Sequence, residues 1–266
     1  MKQTTRAPAG NPRKGTRTTA TVTAVRRLTP HMIRVTINGE SLSAIDPGPL
    51  TDRYVKLVMA EAPEPEGRPV LRTYTIRNVT ESGWDIDIVT HGADGYGGPW
   101  AQRVQPGEEI SFVGPGGDYA PSPDAPWHLM AGDESALPAI AAACEALPDG
   151  AVVHAFVEVA DPSEEQEIAS AADLRLRWVH RSAGASLADV VQAAELPDGV
   201  PHAFLHGEAS CVRDLRRWAR GTLGVPRELL SASGYWRRGR DDEHWRAEKA
   251  EWRAAVEQDD LVLTTR

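Results

Sequence analysis

Arg72-Thr73-Tyr74-Thr75-Ile76-Arg77 sets two guanidinium groups, a phenol ring and two hydroxyls side by side, and His91-Gly92-Ala93-Asp94-Gly95 follows as a glycine-rich turn. Successive side chains of a strand point to opposite faces, so an extended ligand along it meets them in order. Cations suit phosphates, a ring suits stacking, and a hydroxyl suits the polar edge of a heterocycle. A flavin dinucleotide presents those groups in that order. An ordinary strand with solvated arginines has the same residue types, and the segment alone admits both readings.

A second set of chemistry-bearing residues lies near the C-terminus. Tyr235 and Trp236 precede Arg237, Arg238 and Arg240, and Arg246, Lys249 and Arg253 follow at helical spacing. Such a cluster can capture an anionic or oxygen-rich ligand electrostatically, with the aromatic pair as a wall. Equally, the later cations can form a solvated helix face paired with Glu243, Glu248 and Glu257. His128, His154, His180, His202 and His206 fall on expected strands or their ends and read as structural rather than ligating. No His/Asp/Glu cluster has metal-ligand spacing. The two cysteines, Cys144 and Cys211, cannot build a four-cysteine metal site and read as buried free thiols of a reducing compartment.

Composition narrows the class. The chain has 266 residues, enough for two cores, with 41% hydrophobic and 25% charged residues, as in globular proteins. Its formal net charge of −9 argues against general nucleic-acid binding. No apolar run approaches a membrane span, and the polar, basic stretch 1–17 lacks a secretory signal and reads as a disordered tail. A cytoplasmic monomer is expected.

The elements that must position these residues change character along the chain. From about Thr18 to Val113, apolar alternation (Val35 and Ile37, Val55 and Leu57, Ile86 and Ile88) is broken by turns such as Asn38-Gly39 and Pro106-Gly107, predicting an antiparallel β-barrel over 18–120. After Gly114-Pro115-Gly116-Gly117, strands alternate with helices: strands at Trp127–Ala131, Ala151–Val159, Leu174–His180, Ala203–His206 and Leu229–Ser233, helices at Ser135–Leu147, Ser186–Leu196 and Ala209–Leu223. That order predicts a parallel-sheet α/β domain over 121–240. Asp241–Gln258 reads as a final helix within 241–266, with Trp245, Trp252, Ala255 and Val256 on a docking face.

The motifs together resemble the siderophore-interacting protein family, flavin-dependent ferric-siderophore reductases of the ferredoxin reductase-like superfamily. Arg72 to Arg77, His91 to Gly95, Trp100-Ala101, Gly114 to Gly117, Gly132-Asp133-Glu134-Ser135, Gly207-Glu208-Ala209-Ser210 and Gly234-Tyr235-Trp236-Arg237-Arg238-Gly239 carry the resemblance, in order over both domains. It implies a Greek-key barrel binding FAD, a nucleotide-binding-like α/β domain, and reduction of Fe(III) held by a siderophore. Arg72 would hold the flavin phosphates, Tyr74 would pack on the flavin or its ribityl chain, Thr75 would approach the N5 edge, and Arg77 would add charge near the phosphates. His91, Gly92, Gly95, Gly97, Gly98 and Trp100 would shape the turn against the dinucleotide, and the C-terminal cluster would take the siderophore.

Where the family commonly has Gly-Pro-Ala-Ser-x-Trp-Ala, this chain has Gly95-Tyr96-Gly97-Gly98-Pro99-Trp100-Ala101, so the serine hydroxyl is replaced by the backbone of Gly98. Backbone N–H groups of Gly97 and Gly98 can still cradle an anion. In the α/β domain, Asp133 and Glu134 occupy the turn where a nucleotide pyrophosphate would sit, and Asp133 or Ser135 reads as an N-cap. The electron donor is therefore left as NAD(P)H or reduced ferredoxin. Two other functions fit the same residues: an NAD(P)H:flavin or ferredoxin reductase without a siderophore substrate, and a non-enzymatic flavin-containing siderophore carrier.

Overall fold

In a computed structural model of the chain, the structure describes residues 16–264 except 63, 65, 66, 93 and 94. Residues 1–15, expected as a tail, and Ala93 and Asp94 of the glycine-rich turn lie outside the described residues. The chain divides into two compact units, one ending at Asp118 and the other beginning at Tyr119, with Leu28–Met32 grouped with the second.

The first unit holds β1 (Arg17–Thr29), β2 (Met32–Asn38), α1 (Glu40–Ser43), β3 (Tyr54–Ala60), β4 (Val70–Thr80), β5 (Gly83–Val89), α2 (Gly97–Arg103) and β6 (Glu109–Gly116). The strands close into a barrel in the order β1-β2-β5-β4-β3-β6, with β1 antiparallel to β6 at the seam. Period-two alternation sets the inner face: Val35, Ile37, Val55, Leu57, Ile76, Ile88 and Phe112 are fully buried. Each such side chain contributes roughly 1.5–3 kcal/mol of burial. The intervening residues pair outside, where Arg34 Nε donates to Asp87 Oδ1 at 2.6 Å and Thr36 Oγ1 to Asp85 Oδ1 at 2.7 Å. Gly83 closes the β4–β5 turn at φ 127°, and a Cβ there would meet Ile37 O at 2.1 Å.

Reading this region as strands alone overlooked α2. Two glycines and Pro99 suppress a helical signal, yet proline is tolerated in a first turn, and burial of Ala101 and Val104 holds the segment on the barrel.

The second unit holds β7 (His128–Asp133), α3 (Leu137–Ala146), β8 (Val152–Val159), β9 (Asp173–His180), α4 (Leu187–Gln192), β10 (His202–Glu208), α5 (Ala209–Gly221), β11 (Leu230–Trp236) and α6 (Asp242–Thr264). The sheet is parallel, in the order β11-β10-β7-β8-β9. One face packs Leu129, Ala131 and Leu205 under Leu187 and Val191 of α4 and Leu215 and Ala219 of α5. Against α3, Cys144 Sγ lies 3.6 Å from Met130 Sδ. Both cysteines are free, and burial pushes the Cys211 thiol up to about 12, so it stays protonated at neutral pH.

Helix α3 begins after Ala136, which offers no side-chain cap; Asp133 instead accepts from Ser135 N, two residues on. The expected N-cap by Asp133 or Ser135 is therefore corrected to a turn-closing role. Helix α6 also runs past the expected end at Gln258. Asp259 and Asp260 oppose a helix C-terminus by dipole, but α5 offsets this: Asp259 takes Arg213 and Arg217, and Asp260 takes Arg216 and Arg220. Trp245 is 2% exposed and Trp252 Nε1 donates to Ala209 O at 3.0 Å, so the expected apolar face does dock. No described helix is long and apolar enough to cross a membrane.

Candidate functional site

Strands β3 and β4 bring the first candidate residues together. The antiparallel register pairs Leu57 with Arg72, Val55 with Tyr74 and Tyr54 with Thr75. Ile76 is fully buried in the barrel core and Tyr74 packs against that core, so alternation puts Arg72, Tyr74 and Ile76 on one face. Thr75 and Arg77 occupy the other face and are buried there, at 8% and 9% exposure. Arg72 Nη1 donates to Leu71 O at 3.0 Å, and its guanidinium carbon lies 5.1 Å from the Tyr96 ring centroid, a cation–π contact. Arg77 Nη1 donates to Asn78 Oδ1 at 2.8 Å.

The turn after β5 closes on this strand. Gly92 and Gly95 take φ of 59° and 79°, a backbone that side chains disfavour. Gly97 allows a closer approach still: a Cβ there would sit 1.5 Å from Tyr74 Oη. At Gly98 the nearest atom to a Cβ is Thr90 Cα at 3.4 Å, and Trp100 packs against the barrel core. His91 follows β5 and is exposed. Tyr74, Gly97 and Tyr96 with Arg72 thus form one cluster of a ring, bare backbone and a cation.

Sequence reasoning placed Val55 and Leu57 on a barrel strand but did not name the polar residues of that strand as site residues. Tyr54 and Lys56 pair with Thr75 and Thr73, with Lys56 Nζ 5.9 Å from the Tyr54 ring and Gly116 so close that a Cβ would meet Tyr54 Cζ at 2.7 Å; Arg53 immediately precedes this strand. The signal was present in the polar alternation of Arg53-Tyr54-Val55-Lys56-Leu57, whose partner strand only the fold names. Arg53 Nε is buried and has no hydrogen-bond partner among the described residues. A flavin dinucleotide fits this set: Arg72 for phosphate, a phenol for ring or chain, glycine backbone for close approach, and an unmet buried donor.

In the second unit, the strand order reverses between β7 and β10, the position where α/β sheets open a crevice at their carboxyl ends. Asp133, 3% exposed, fills it. Its carboxylate accepts from Ser135 N at 2.9 Å, Ser135 Oγ at 2.5 Å, Glu208 N at 2.7 Å and Trp236 Nε1 at 2.8 Å. Burial, with Glu134 beside it, pushes its carboxyl up to about 6. Gly207 leaves room for that carboxylate, since a Cβ would stand 2.5 Å from Oδ2. Glu134 itself is engaged by Arg181, which also reaches Glu158 at 3.1 Å.

The C-terminal candidates are spread along the end of β11 and α6. Tyr235 stands 5.1 Å from the His206 ring, and Trp236 is committed to Asp133. Arg237 Nη1 and Arg240 Nε share Glu248 at 2.9 and 2.6 Å, and Arg238 N donates to Glu208 Oε1 at 3.2 Å. Arg246 pairs with Asp242 at 2.7 Å, Lys249 Nζ lies 5.8 Å from the Trp245 ring, and Arg253 is exposed. The structure brings Arg237 and Arg240 together on one carboxylate, and Arg246 is held by another. Among the described residues no three His, Cys, Asp or Glu side chains are placed to hold a metal ion.

Comparison with known proteins places both parts of the chain in known families. Residues 21–119 match the model of the siderophore-interacting FAD-binding domain, and residues 125–239 match that of the siderophore-interacting protein. The uncharacterized protein Rv2895c of Mycobacterium tuberculosis is 41% identical over 88% of this chain and 96% of its own length. The ferric vibriobactin reductase ViuB of Vibrio cholerae is 34% identical over 70% of this chain and 71% of its own. The crystal structure of the siderophore-interacting protein SipS from Aeromonas hydrophila superposes with a TM-score of 0.78 at 28% identity, covering 88% of this chain and 97% of that one. A barrel that matches the family's FAD-binding domain, followed by its characteristic α/β domain, places this chain in the siderophore-interacting protein family.

Proposed function

We propose that the protein is an FAD-dependent reductase of ferric siderophores that releases Fe(II) for assimilation. The observation that carries the reading is the convergence on β4 of Arg72, Tyr74 and the bare backbone of Gly97, within a barrel matching an FAD-binding domain of siderophore-interacting proteins. ViuB, a reductase of ferric vibriobactin by name, supports the reaction class.

Bound FAD supplies a group that takes up an electron pair and passes electrons on singly. The chain's own residues bind and orient. Arg72 holds phosphate, Tyr74 packs on the ring or ribityl chain, and Thr75 presents a hydroxyl to the ring edge, with Arg77 adding positive charge. His91, Gly92, Gly95, Gly97, Gly98 and Trp100 shape the turn against the dinucleotide. The cations of the β11 end and α6 attract the anionic ferric complex through long-range electrostatics. Fe(III) is a hard acid held by siderophore oxygens; as Fe(II) it binds those oxygens less tightly and leaves. The iron is substrate, and no protein ligand is required for it.

Electrons come from NAD(P)H or a reduced ferredoxin. The buried Asp133 carboxylate fills the β7 turn and disfavours a pyrophosphate there, while Glu134 is paired with Arg181. The test is anaerobic absorption spectroscopy of the FAD-loaded protein, with a ferric siderophore and a ferrous trap, as NADH, NADPH or reduced ferredoxin is added. Bleaching and recovery of the flavin bands with trapped Fe(II) is expected. A protein that takes up no FAD would overturn the reading, and one that reduces artificial acceptors but no ferric siderophore would make it a reductase without that substrate.

A further inference from the structure

Arg53 differs from the carboxylate-paired arginines of the barrel. Arg17 pairs with Glu61, and Arg34 with Asp85 and Asp87. Arg53 donates from Nη1 to the backbone oxygen of Gly48 at 2.9 Å, and its Nε is buried with no hydrogen-bond partner among the described residues. Its neighbour Asp52 is turned to the Asp118 N–H, at 2.9 Å. Burial alone, with no carboxylate to offset it, lowers the guanidinium below its ordinary range. A buried donor on an uncompensated cation is costly unless a ligand supplies the acceptor.

Its place in the ladder says which part of a ligand that would be. Arg53 O accepts from Ile76 N at 2.8 Å, and the next residue, Tyr54, pairs with Thr75. Leu57 pairs with Arg72, so Arg53 and Arg72 are separated by about four residues along the ladder, roughly 13 Å of strand. Arg72 and Arg53 therefore serve opposite ends of an extended ligand.

We infer that Arg53 is a positioning and tuning residue of the cofactor site, which meets the flavin ring rather than the phosphates and there stabilises negative charge on the reduced ring. This rests on the reading of the barrel as an FAD site. Positive charge beside the polar edge of the ring favours its reduced form and so raises its potential. Arg53 thus sets how strongly a ferric complex must bind Fe(III) before the protein can no longer reduce it.

The experiment compares FAD-loaded wild type, Arg53→Gln and Arg53→Lys. Midpoint potential is read by spectroscopic equilibration with a redox dye, and affinity for oxidised FAD by titrating apoprotein. Arg53→Gln is expected to weaken binding of reduced FAD about tenfold more than binding of oxidised FAD, a fall of about 30 mV for a two-electron couple. Arg53→Lys, which keeps the charge but loses the planar fork, is expected between the two and serves if the glutamine variant does not fold. Wild-type potential in the folded variants overturns the inference, as does an equal loss of affinity for both oxidation states. Wild-type protein that takes up no FAD instead overturns the parent reading, and this inference with it.

Discussion

Trp236 Nε1 donates to Asp133 Oδ2 at 2.8 Å, tying the end of β11 to the end of β7 across the intervening β10. Three further donors, Glu208 N, Ser135 N and Ser135 Oγ, converge on the same carboxylate. Asparagine offers one acceptor oxygen and a donor amide, so Asp133→Asn leaves at least one N–H unmet, at a cost of about 1–3 kcal/mol. Chemical denaturation at pH 7 checks this. The pH dependence has a definite sign. The folded carboxyl is raised from 3.8 to about 6, so the folded state binds the proton more tightly between those values. The associated stability is present below pH 4 and lost as pH rises through about 6. The deficit of Asp133→Asn should therefore widen as pH falls from 7 to 4; a deficit that narrows would contradict the assignment.

Four buried or half-buried imidazoles in the second unit give an opposite slope. Burial lowers His128 to about 4 and His206 to about 3, and lowers His154 and His202 as well. The folded state holds these rings neutral, so their contribution is present above pH 6.5 and lost as pH falls towards the folded values. Both ring nitrogens of His128 lack hydrogen-bond partners among the described residues. His128→Phe should raise stability at pH 7 by about 1 kcal/mol. It should also flatten the acid limb of the stability profile between pH 6.5 and 4. Thermal melts across that range measure both.

The neighbouring glycines 97 and 98 should respond oppositely to added side chains. Gly97→Ala puts a Cβ 1.5 Å from Tyr74 Oη and must displace that ring, so the flavin-to-protein ratio after purification should fall sharply. At Gly98 a Cβ makes only ordinary contact, 3.4 Å from Thr90 Cα. Gly98→Ser, which restores the hydroxyl of the family pattern, should be tolerated and should tighten FAD by about tenfold, as a hydrogen bond to a charged group of roughly 1.5 kcal/mol would. Fluorescence titration of the apoproteins compares the two.

Cofactor and substrate should be separable by mutation. Arg72→Ala should lose flavin. Arg246→Ala combined with Lys249→Ala should retain flavin and weaken only an anionic ferric siderophore, most visibly at low ionic strength. Glu248 neutralises both Arg237 and Arg240, which hold its carboxyl below the usual range. Glu248→Gln should therefore speed capture of the same ligand in stopped-flow quenching. An unchanged rate at low salt would remove these two arginines from the capture surface.

Much of the architecture is written in local periodicity. Alternation at Val35 and Ile37 or Ile86 and Ile88 specifies barrel strands, because the buried face recurs every second residue. Apolar runs such as Ala203 to Leu205 between helical segments specify a parallel sheet covered on both faces. The Arg72-to-Arg77 series is likewise contiguous, so its alternation along one strand can be read directly. What only the tertiary structure decides is which distant groups share a volume. Asp133 and Trp236 are 103 positions apart, and nothing local pairs them. The contact of Gly97 with Tyr74 depends on where α2 folds back on β4, and the unmet Nε of Arg53 is visible only once every neighbour is placed. Helix α6 outruns its own dipole preference because arginines of α5 stand opposite Asp259 and Asp260. Local spacing dictates which backbone forms, through the geometry of strand and helix; burial and charge pairing between remote segments dictate which side chains meet, and those meetings make the site.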